Sequence, residues 1–277
     1  MIIRCWGARG SIPVSGDEYL KYGGDTTCVE VRTKDDDIII IDAGSGIRRL
    51  GNALLKEGRR DFTMFFTHGH WDHLIGFPFF KPIYLSSVNI NMYGCSYAQA
   101  TVKEMISNVM APPHFPVAYE EIHCNIDYHQ ACSEDFTLKS LKVSSIPLSH
   151  PNQGVGYRFE EDGKSFVFLT DNELSYIHPG GMDFAAYRDF ARGADLLIHD
   201  TEFTDEDYKK TWGHSTFTDA LRLSLEAGVK TLGLFHHNQE RTDQGVEEIL
   251  QRCREIASQR GSSLQCVGVS NSFSFEL

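Results

Sequence analysis

Short apolar runs, rich in β-branched and aromatic residues and bounded by turn formers, recur along the chain. They predict strands over 38–42, 62–67, 88–93, 138–148, 155–159, 165–170, 195–199, 231–236 and 264–275. Elsewhere the apolar spacing lengthens to that of helices. Residues 45–55 carry Ile47, Leu50, Leu54 and Leu55, and 183–192 carry an aromatic and alanine stripe. Ser215 is placed to cap a helix over 217–227 that Gly228 stops, and Thr242 or Asp243 to cap a last helix ending near Arg260, before Gly261. The order is mixed α and β throughout. No repeat, low-complexity tract or Pro/Gly/Ser-rich linker divides it, so 1–277 reads as a single domain. The irregular stretch is about 77–120, which holds Pro78, Pro82, Pro112, Pro113 and Pro116. It reads either as an insertion or lid over a site or as a packed surface excursion.

Composition narrows the class. Of 277 residues, 41% are hydrophobic and 23% charged, which fits a globular protein and excludes a disordered one. The apolar runs fall far short of the ~20 residues needed to span a bilayer. Arg4 and Arg9 leave no room for the apolar stretch of a signal peptide, so the expectation is a cytoplasmic protein without membrane contact. With 26 Lys and Arg against 38 Asp and Glu, the net charge of −12 repels nucleic acid on average. The strongest basic cluster, Arg48, Arg49, Lys56, Arg59 and Arg60, has the spacing of a solvated helix face. Seven cysteines, an odd number without a C-x-x-C pair, predict buried reduced thiols instead of a disulfide framework or a cysteine zinc site.

The histidines carry the chemistry. Phe65-Phe66-Thr67-His68-Gly69-His70-Trp71-Asp72-His73 follows a predicted strand and offers three imidazoles and a carboxylate within six positions. On extended backbone His68 and His70 share a face, whereas adjacent Asp72 and His73 diverge, which suggests two metal ions. Four ligands already exceed the three that a catalytic site with an open position takes. Further candidates lie just after later strands: His150, Asp171, and His236 or His237. His236 comes first beyond its strand and is preferred, with His237 as its rival. Imidazole and carboxylate donors suit zinc or manganese, and iron is also compatible. His114 is a candidate to face substrate from the 77–120 stretch; His123, His129 and His178 have no partner pattern and read as surface residues.

The H-x-H-x-D-H run, the downstream His, Asp and His, and the early Ile41-Asp42-Ala43-Gly44 resemble the ordered motifs of the metallo-β-lactamase superfamily. That resemblance implies an α/β fold, a four-layer αβ/βα sandwich of two mixed sheets with outer helices. It further implies that His68, His70 and His150 hold one metal ion and Asp72, His73 and His236 the other, with Asp171 bridging. A metal-bridging hydroxide would be the nucleophile, and Asp42 would orient the metal-binding loop.

Asp195 to Phe203, with His199-Asp200-Thr201-Glu202, and Gly213-His214-Ser215-Thr216 resemble the H-E-A-T and H-S-T motifs of the tRNase Z and phosphodiesterase branch. By that resemblance His214 approaches the scissile phosphate and Asp200 assists it, although Glu202, two places on, competes for the role. The segments Gly7 to Pro13 and Tyr22 to Cys28 resemble the branch's glycine-rich first loop and its G-G-[ND]-T-[ST]-C segment; Arg9 would touch a phosphate or make a structural ion pair. Phe77 to Pro82 and Pro113 to Val117 resemble a cyclic-nucleotide phosphodiesterase-like lid, where Phe79, Phe80, His114 and Phe115 could stack on a base. The expected activity is hydrolysis of small or cyclic nucleotide phosphodiesters, with tRNA disfavoured by the charge. The alternatives are a tRNase Z-like ribonuclease, a glyoxalase II-like thioesterase and a di-iron oxidoreductase. A homodimer is common in the branch.

Overall fold

The computed structural model describes residues 1–95, 101–132 and 135–277. The first sheet contains β1 (Ile2–Gly7), β2 (Cys28–Arg32), β3 (Ile38–Ile41), β4 (Asp61–Phe65), β5 (Asn89–Gly94) and β6 (Asn125–Gln130) in sequential order. The second contains β7 (Phe136–Leu138), β8 (Leu141–Pro147), β9 (Val155–Glu161), β10 (Lys164–Leu169), β11 (Leu196–Asp200), β12 (Thr231–Phe235) and β13 (Gln265–Gly268). The last strand, β14 (Ser274–Glu276), returns to the first sheet and pairs antiparallel with β1. Both sheets are mixed: β3 to β6 and β10 to β13 run parallel, and the remaining pairings are antiparallel.

The period-two pattern explains why the sheets are buried on both sides. In β3, Ile39 and Ile41 join Phe65, Tyr157, Phe159, Phe166, Phe168, Ile198 and Phe235 in the core between the sheets. Their neighbours Ile38 and Ile40 face outward with Phe62 and Met64, where α1 (Ile47–Lys56) and α3 (Val102–Val109) cover them. On the other side Val167, Leu169, Leu197 and Leu232 pack under α4 (Phe184–Phe190), α5 (Phe217–Ala227) and α6 (Asp243–Gln259). A short α2 (Trp71–Leu74) completes the list. The result is a four-layer αβ/βα sandwich.

Several elements differ from the sequence reading. The 264–275 run splits into β13 and β14 on different sheets, because alternating apolar residues do not say which sheet they join. Strands β1, β2, β6 and β7 were unforeseen, and so was α3, although its Thr101-x-x-Glu104 capping box is legible in sequence. Thr216, not Ser215, caps α5; the Ser215 hydroxyl instead accepts from Leu174 N and donates to the Asn172 carbonyl. Phe80 is buried against Phe62 in the helix-covered core, so it is not a base-stacking residue. Cysteine chemistry also differs: Cys95 and Cys132 form a disulfide, with Cys5, Cys28, Cys124, Cys253 and Cys266 free. Parallel β5 and β6 end side by side and bring together two cysteines 37 positions apart, which spacing alone conceals. Among the described residues no helix is long and apolar enough to cross a membrane.

Candidate metal centre

The loops after β4, β8, β10, β11 and β12 bring their histidines and carboxylates to one place. His68, His70, His150 and Asp171 offer ligand atoms within 4.8 Å of one another, and so do Asp72, His73, Asp171 and His236. Asp171 lies between the groups. Its Oδ2 is 3.5 Å from His68 Nε2 and 3.7 Å from His150 Nε2, while its Oδ1 is 3.3 Å from His73 Nε2 and 3.4 Å from His236 Nε2. Asp72 Oδ2 is 3.3 Å from His73 Nε2 and 3.0 Å from His236 Nε2. Asp42, Asp171 and His236 adopt left-handed φ of 61°, 52° and 55°. Each such residue costs ~1–3 kcal/mol, a strain concentrated here at three of the converging side chains.

Hydrogen bonds around the cluster fix the histidine tautomers. His73 Nδ1 donates to Asp42 Oδ2 at 2.8 Å, His236 Nδ1 to Glu202 Oε2 at 2.9 Å and His150 Nδ1 to the Gly213 carbonyl at 2.8 Å. Thr67 gives its one hydroxyl proton to Asp42, so His68 Nδ1 donates to Thr67 Oγ1 at 3.1 Å. With Nδ1–H so engaged, His68 and His150 turn an Nε2 lone pair toward Asp171, and His73 and His236 can offer theirs to a cation between them and Asp72 and Asp171 once the Nε2 proton is displaced. Among the described residues, His68 Nε2 and His73 Nε2 are buried with no hydrogen-bond partner. Lone pairs facing carboxylate oxygens repel unless a cation lies between them, so this donor set fits metal ions. Charge agrees. Asp42, Asp72, Asp171, Asp200 and Glu202 are all buried, and two divalent cations would neutralise their five negative charges to within one.

The two groups differ electrostatically. Burial opposes charge on His73 and His236, yet neighbouring carboxylates outweigh it and hold both imidazolium pKa values well above the ordinary 6.5. Burial also opposes charge on Asp72 and Asp171, but the adjacent imidazoles hold both carboxyls well below their ordinary range. For His68, His70 and His150, burial wins and the pKa falls.

Backbone approaches the centre where side chains would not fit. A Cβ on Gly10 would lie 2.3 Å from His236 Nδ1, and the next residue, Ser11, donates its N–H to Asp72 Oδ2 at 2.9 Å. Gly213 has φ 89°, and a Cβ there would lie 2.2 Å from His150 Nδ1. Beside His70 opens a cleft of about 780 Å³ lined by Trp71, Ile75, Phe79, Met105, His114 and Phe115.

A family description, Beta-lactamase superfamily domain, matches residues 38–237, which span the whole cluster. The chain belongs to the beta-lactamase superfamily. Ribonuclease Z of Thermococcus gammatolerans is 25% identical over 244 residues, 72% of this chain and 74% of its own. Two solved structures share the fold across 100% of this chain: the metallo-beta-lactamase fold protein YhfI of Bacillus subtilis and a diphosphatase of the PhnP family. YhfI has a TM-score of 0.72 at 16% identity, with 99% of it covered; the diphosphatase has 0.70 at 18%, with 97% covered.

Within this superfamily fold the competing assignments separate geometrically. His236 faces Asp72 and Asp171, whereas the His237 ring turns away and donates Nε2–H to the Val269 carbonyl at 2.8 Å. Burial, aided by Arg9, pushes the His237 pKa down to about 3. Asp200 Oδ2 lies 3.6 Å from His214 Nδ1, while Glu202 is engaged by His236 and by Asn238 Nδ2. His214 lies over the group, its ring stacked 4.8 Å from that of His236. Burial disfavours its charge, but Asp200 and Asp171 raise its pKa on balance.

Two expectations are corrected. Arg9 makes no ion pair among the described residues and is fully buried: it donates to the carbonyls of Gly23, Asn238 and Arg241 and so ties the first loop to the segment after β12. His178 is buried, with Nε2 2.7 Å from Glu173 Oε2, whereas His123 and His129 are exposed. Glu173 itself escaped the sequence reading. Buried, it accepts from Tyr208 Oη at 2.6 Å, Thr211 N at 2.8 Å and Gly213 N at 2.8 Å, and so holds the loop that presents His214. Its position two residues after Asp171 was the available signal.

Proposed function

We propose that this protein is a dinuclear metal-dependent phosphodiesterase acting on small or cyclic nucleotide phosphodiesters. His68, His70 and His150 would hold one divalent ion and Asp72, His73 and His236 the other, with Asp171 available to both. Zinc or manganese suits these donors, and iron is compatible. When bound, such ions neutralise phosphate oxygens and lower the pKa of water toward neutrality. The chain's own residues do the rest. Asp42, Glu202 and the Gly213 carbonyl orient the imidazoles through Nδ1–H. His214, with Nδ1 toward Asp200, keeps Nε2 available to stabilise the phosphate or protonate the leaving oxygen.

The observation that carries the substrate reading is the cleft beside His70. Its volume suits a nucleotide, and Phe79, 51% exposed, meets Phe115 edge-on with ring centroids 5.5 Å apart, a surface on which a base can stack. In this reading Phe79, α3 and the His114–Phe115 turn wall the cleft, while β5, within the same 77–120 stretch, is an inner strand of the first sheet.

The resemblance to Ribonuclease Z favours a second reading, cleavage of a tRNA precursor. The charge of −12 weighs against a long polyanion, whereas two cations serve a small one. A hydrolysis panel with zinc or manganese, covering bis(p-nitrophenyl) phosphate, cyclic mononucleotides, cyclic dinucleotides, a tRNA precursor and a glutathione thioester, tests both. A higher kcat/KM for a small nucleotide diester than for pre-tRNA at physiological salt is expected; faster tRNA cleavage reverses the order, and thioester-only activity removes both.

A further inference from the structure

Just before Gly213, whose carbonyl meets His150, the chain makes a turn over Lys209 to Trp212, closed by Trp212 N–H to the Lys209 carbonyl at 3.2 Å. Trp212 is 59% exposed, and its ring carries Lys209 Nζ 4.2 Å from the centroid. Lys210 Nζ lies 5.4 Å from the centroid of Tyr176. Neither lysine makes an ion pair among the described residues. The acids just before them are engaged elsewhere: Asp207 with Arg241, Glu206 with Arg252, and Asp205 with the Thr218 hydroxyl. This acidic chain therefore presents, in the segment leading to His214, two ammonium groups without an acidic partner among the described residues, each over an aromatic ring.

The turn is also held in place. Buried Glu173 accepts from Tyr208 before it, from Thr211 within it and from Gly213 after it. A surface that hydrophobic exposure would penalise is thus fixed before any ligand arrives, which lowers the ordering cost of binding. The same turn ends on the Gly213 carbonyl that orients His150, so Trp212 is within two residues of His214. The other exposed tryptophan, Trp71 at 69%, directly follows His70 and lines the cleft. The chain thus exposes one tryptophan next to His70 and another two residues before His214, and it is the second that carries a cation on its ring.

We propose that the Lys209–Trp212 turn, with Tyr176, is a second nucleoside subsite, which stacks the base on the far side of the scissile phosphate and holds a flanking phosphate on Lys209 and Lys210. This rests on the phosphodiesterase reading and sharpens its substrate class: a diester with a nucleoside on each side, either a dinucleotide or the single-stranded end of an oligonucleotide, in preference to a cyclic mononucleotide. Charge complementarity and exposed rings select that occupant over a second protein chain.

The test compares wild type with Trp212→Ala and with the Lys209→Ala/Lys210→Ala double variant, all metal-loaded. Equilibrium affinity for a phosphorothioate-linked dinucleotide is measured beside kcat/KM for a dinucleotide, a single-stranded oligonucleotide, a cyclic mononucleotide and bis(p-nitrophenyl) phosphate. Trp212→Ala should weaken dinucleotide binding about 5- to 100-fold, the range of a lost base–aromatic stack. It should leave hydrolysis of the cyclic mononucleotide, which has no second nucleoside to stack, within about twofold of wild type. A larger effect of the lysine pair on the oligonucleotide than on the dinucleotide identifies a strand end as the occupant; equal effects identify a dinucleotide. Unchanged dinucleotide affinity in both variants overturns the subsite, as does an equal loss on every substrate or a changed oligomeric state in place of changed affinity. Binding that depends on Trp212 without hydrolysis of any diester upholds the subsite and removes the phosphodiesterase reading instead.

Discussion

The two halves of the candidate metal centre share Asp171 and little else. His68, His70 and His150 form a group of neutral imidazoles, and its partly exposed member, His70, opens onto the cleft. Asp72, His73 and His236 are all buried, and two of the three are backed by carboxylates of their own, Asp42 and Glu202. On the first side the corresponding supports are a hydroxyl, Thr67, and a carbonyl, Gly213. A carboxylate behind an imidazole makes it a stronger donor than a carbonyl does. On the proposed two-metal reading, the difference gives the halves separate work: the Asp72 group would retain an ion, and the His68 group would hold one where substrate arrives.

The largest expected effect comes from abolishing the comparison. Asp171→Ala removes the carboxylate common to both groups, so metal analysis should show reduced occupancy of both sites and diester hydrolysis should fall by at least ~10³-fold; full metal content would deny the shared role. Next is His214→Ala, which belongs to neither group. It should keep both ions and the fold yet lose diester hydrolysis by roughly 10²–10⁴-fold, the scale of a missing general acid or electrostatic helper. Unaltered activity would reduce His214 to a capping-loop residue. Smaller still, Glu202→Gln leaves every ligand in place but weakens the support behind His236. Chelator competition should show ~10–100-fold weaker binding at the Asp72 group alone.

The finest distinction is in pH. His73 and His236 have raised pKa values, so in the metal-free protein they are protonated at neutral pH, and an ion entering there must displace protons. Affinity at the Asp72 group should therefore fall as pH drops below those raised values. His68, His70 and His150 have lowered pKa values and stay neutral below 6.5, so affinity at their site should be flat across pH 6.5–8. Titrating metal affinity at several pH values with proton release recorded distinguishes the two; parallel slopes would erase the difference.

Much of this centre was legible because its donors sit at strand ends, where a run such as Ile38–Ile41 or Phe166–Leu169 announces the strand and the next polar residues announce the site. The supports were less visible. Glu202 and Asp200 differ by two positions in sequence, yet one reaches His236 and the other faces His214, because Asp200 is the last residue of β11 and Glu202 lies in the loop beyond it. Glu173 and Arg9 act through loops distant in sequence, and no local spacing encodes a bond from Arg9 to the Arg241 carbonyl. The same limit hid the Cys95–Cys132 bridge and the division of 264–275 between sheets. Hydrophobic pattern specifies that a segment is a strand; the partner it chooses is decided by the rest of the chain.

In the proposed centre seven side chains form two metal sites around one carboxylate. Anomalous diffraction from crystals of the zinc- or manganese-loaded protein, recorded at that metal's absorption edge, tests this directly. Two peaks per chain are expected, one among His68, His70 and His150 and one among Asp72, His73 and His236, with Asp171 contacting both. A single peak, or peaks away from Asp171, would contradict it.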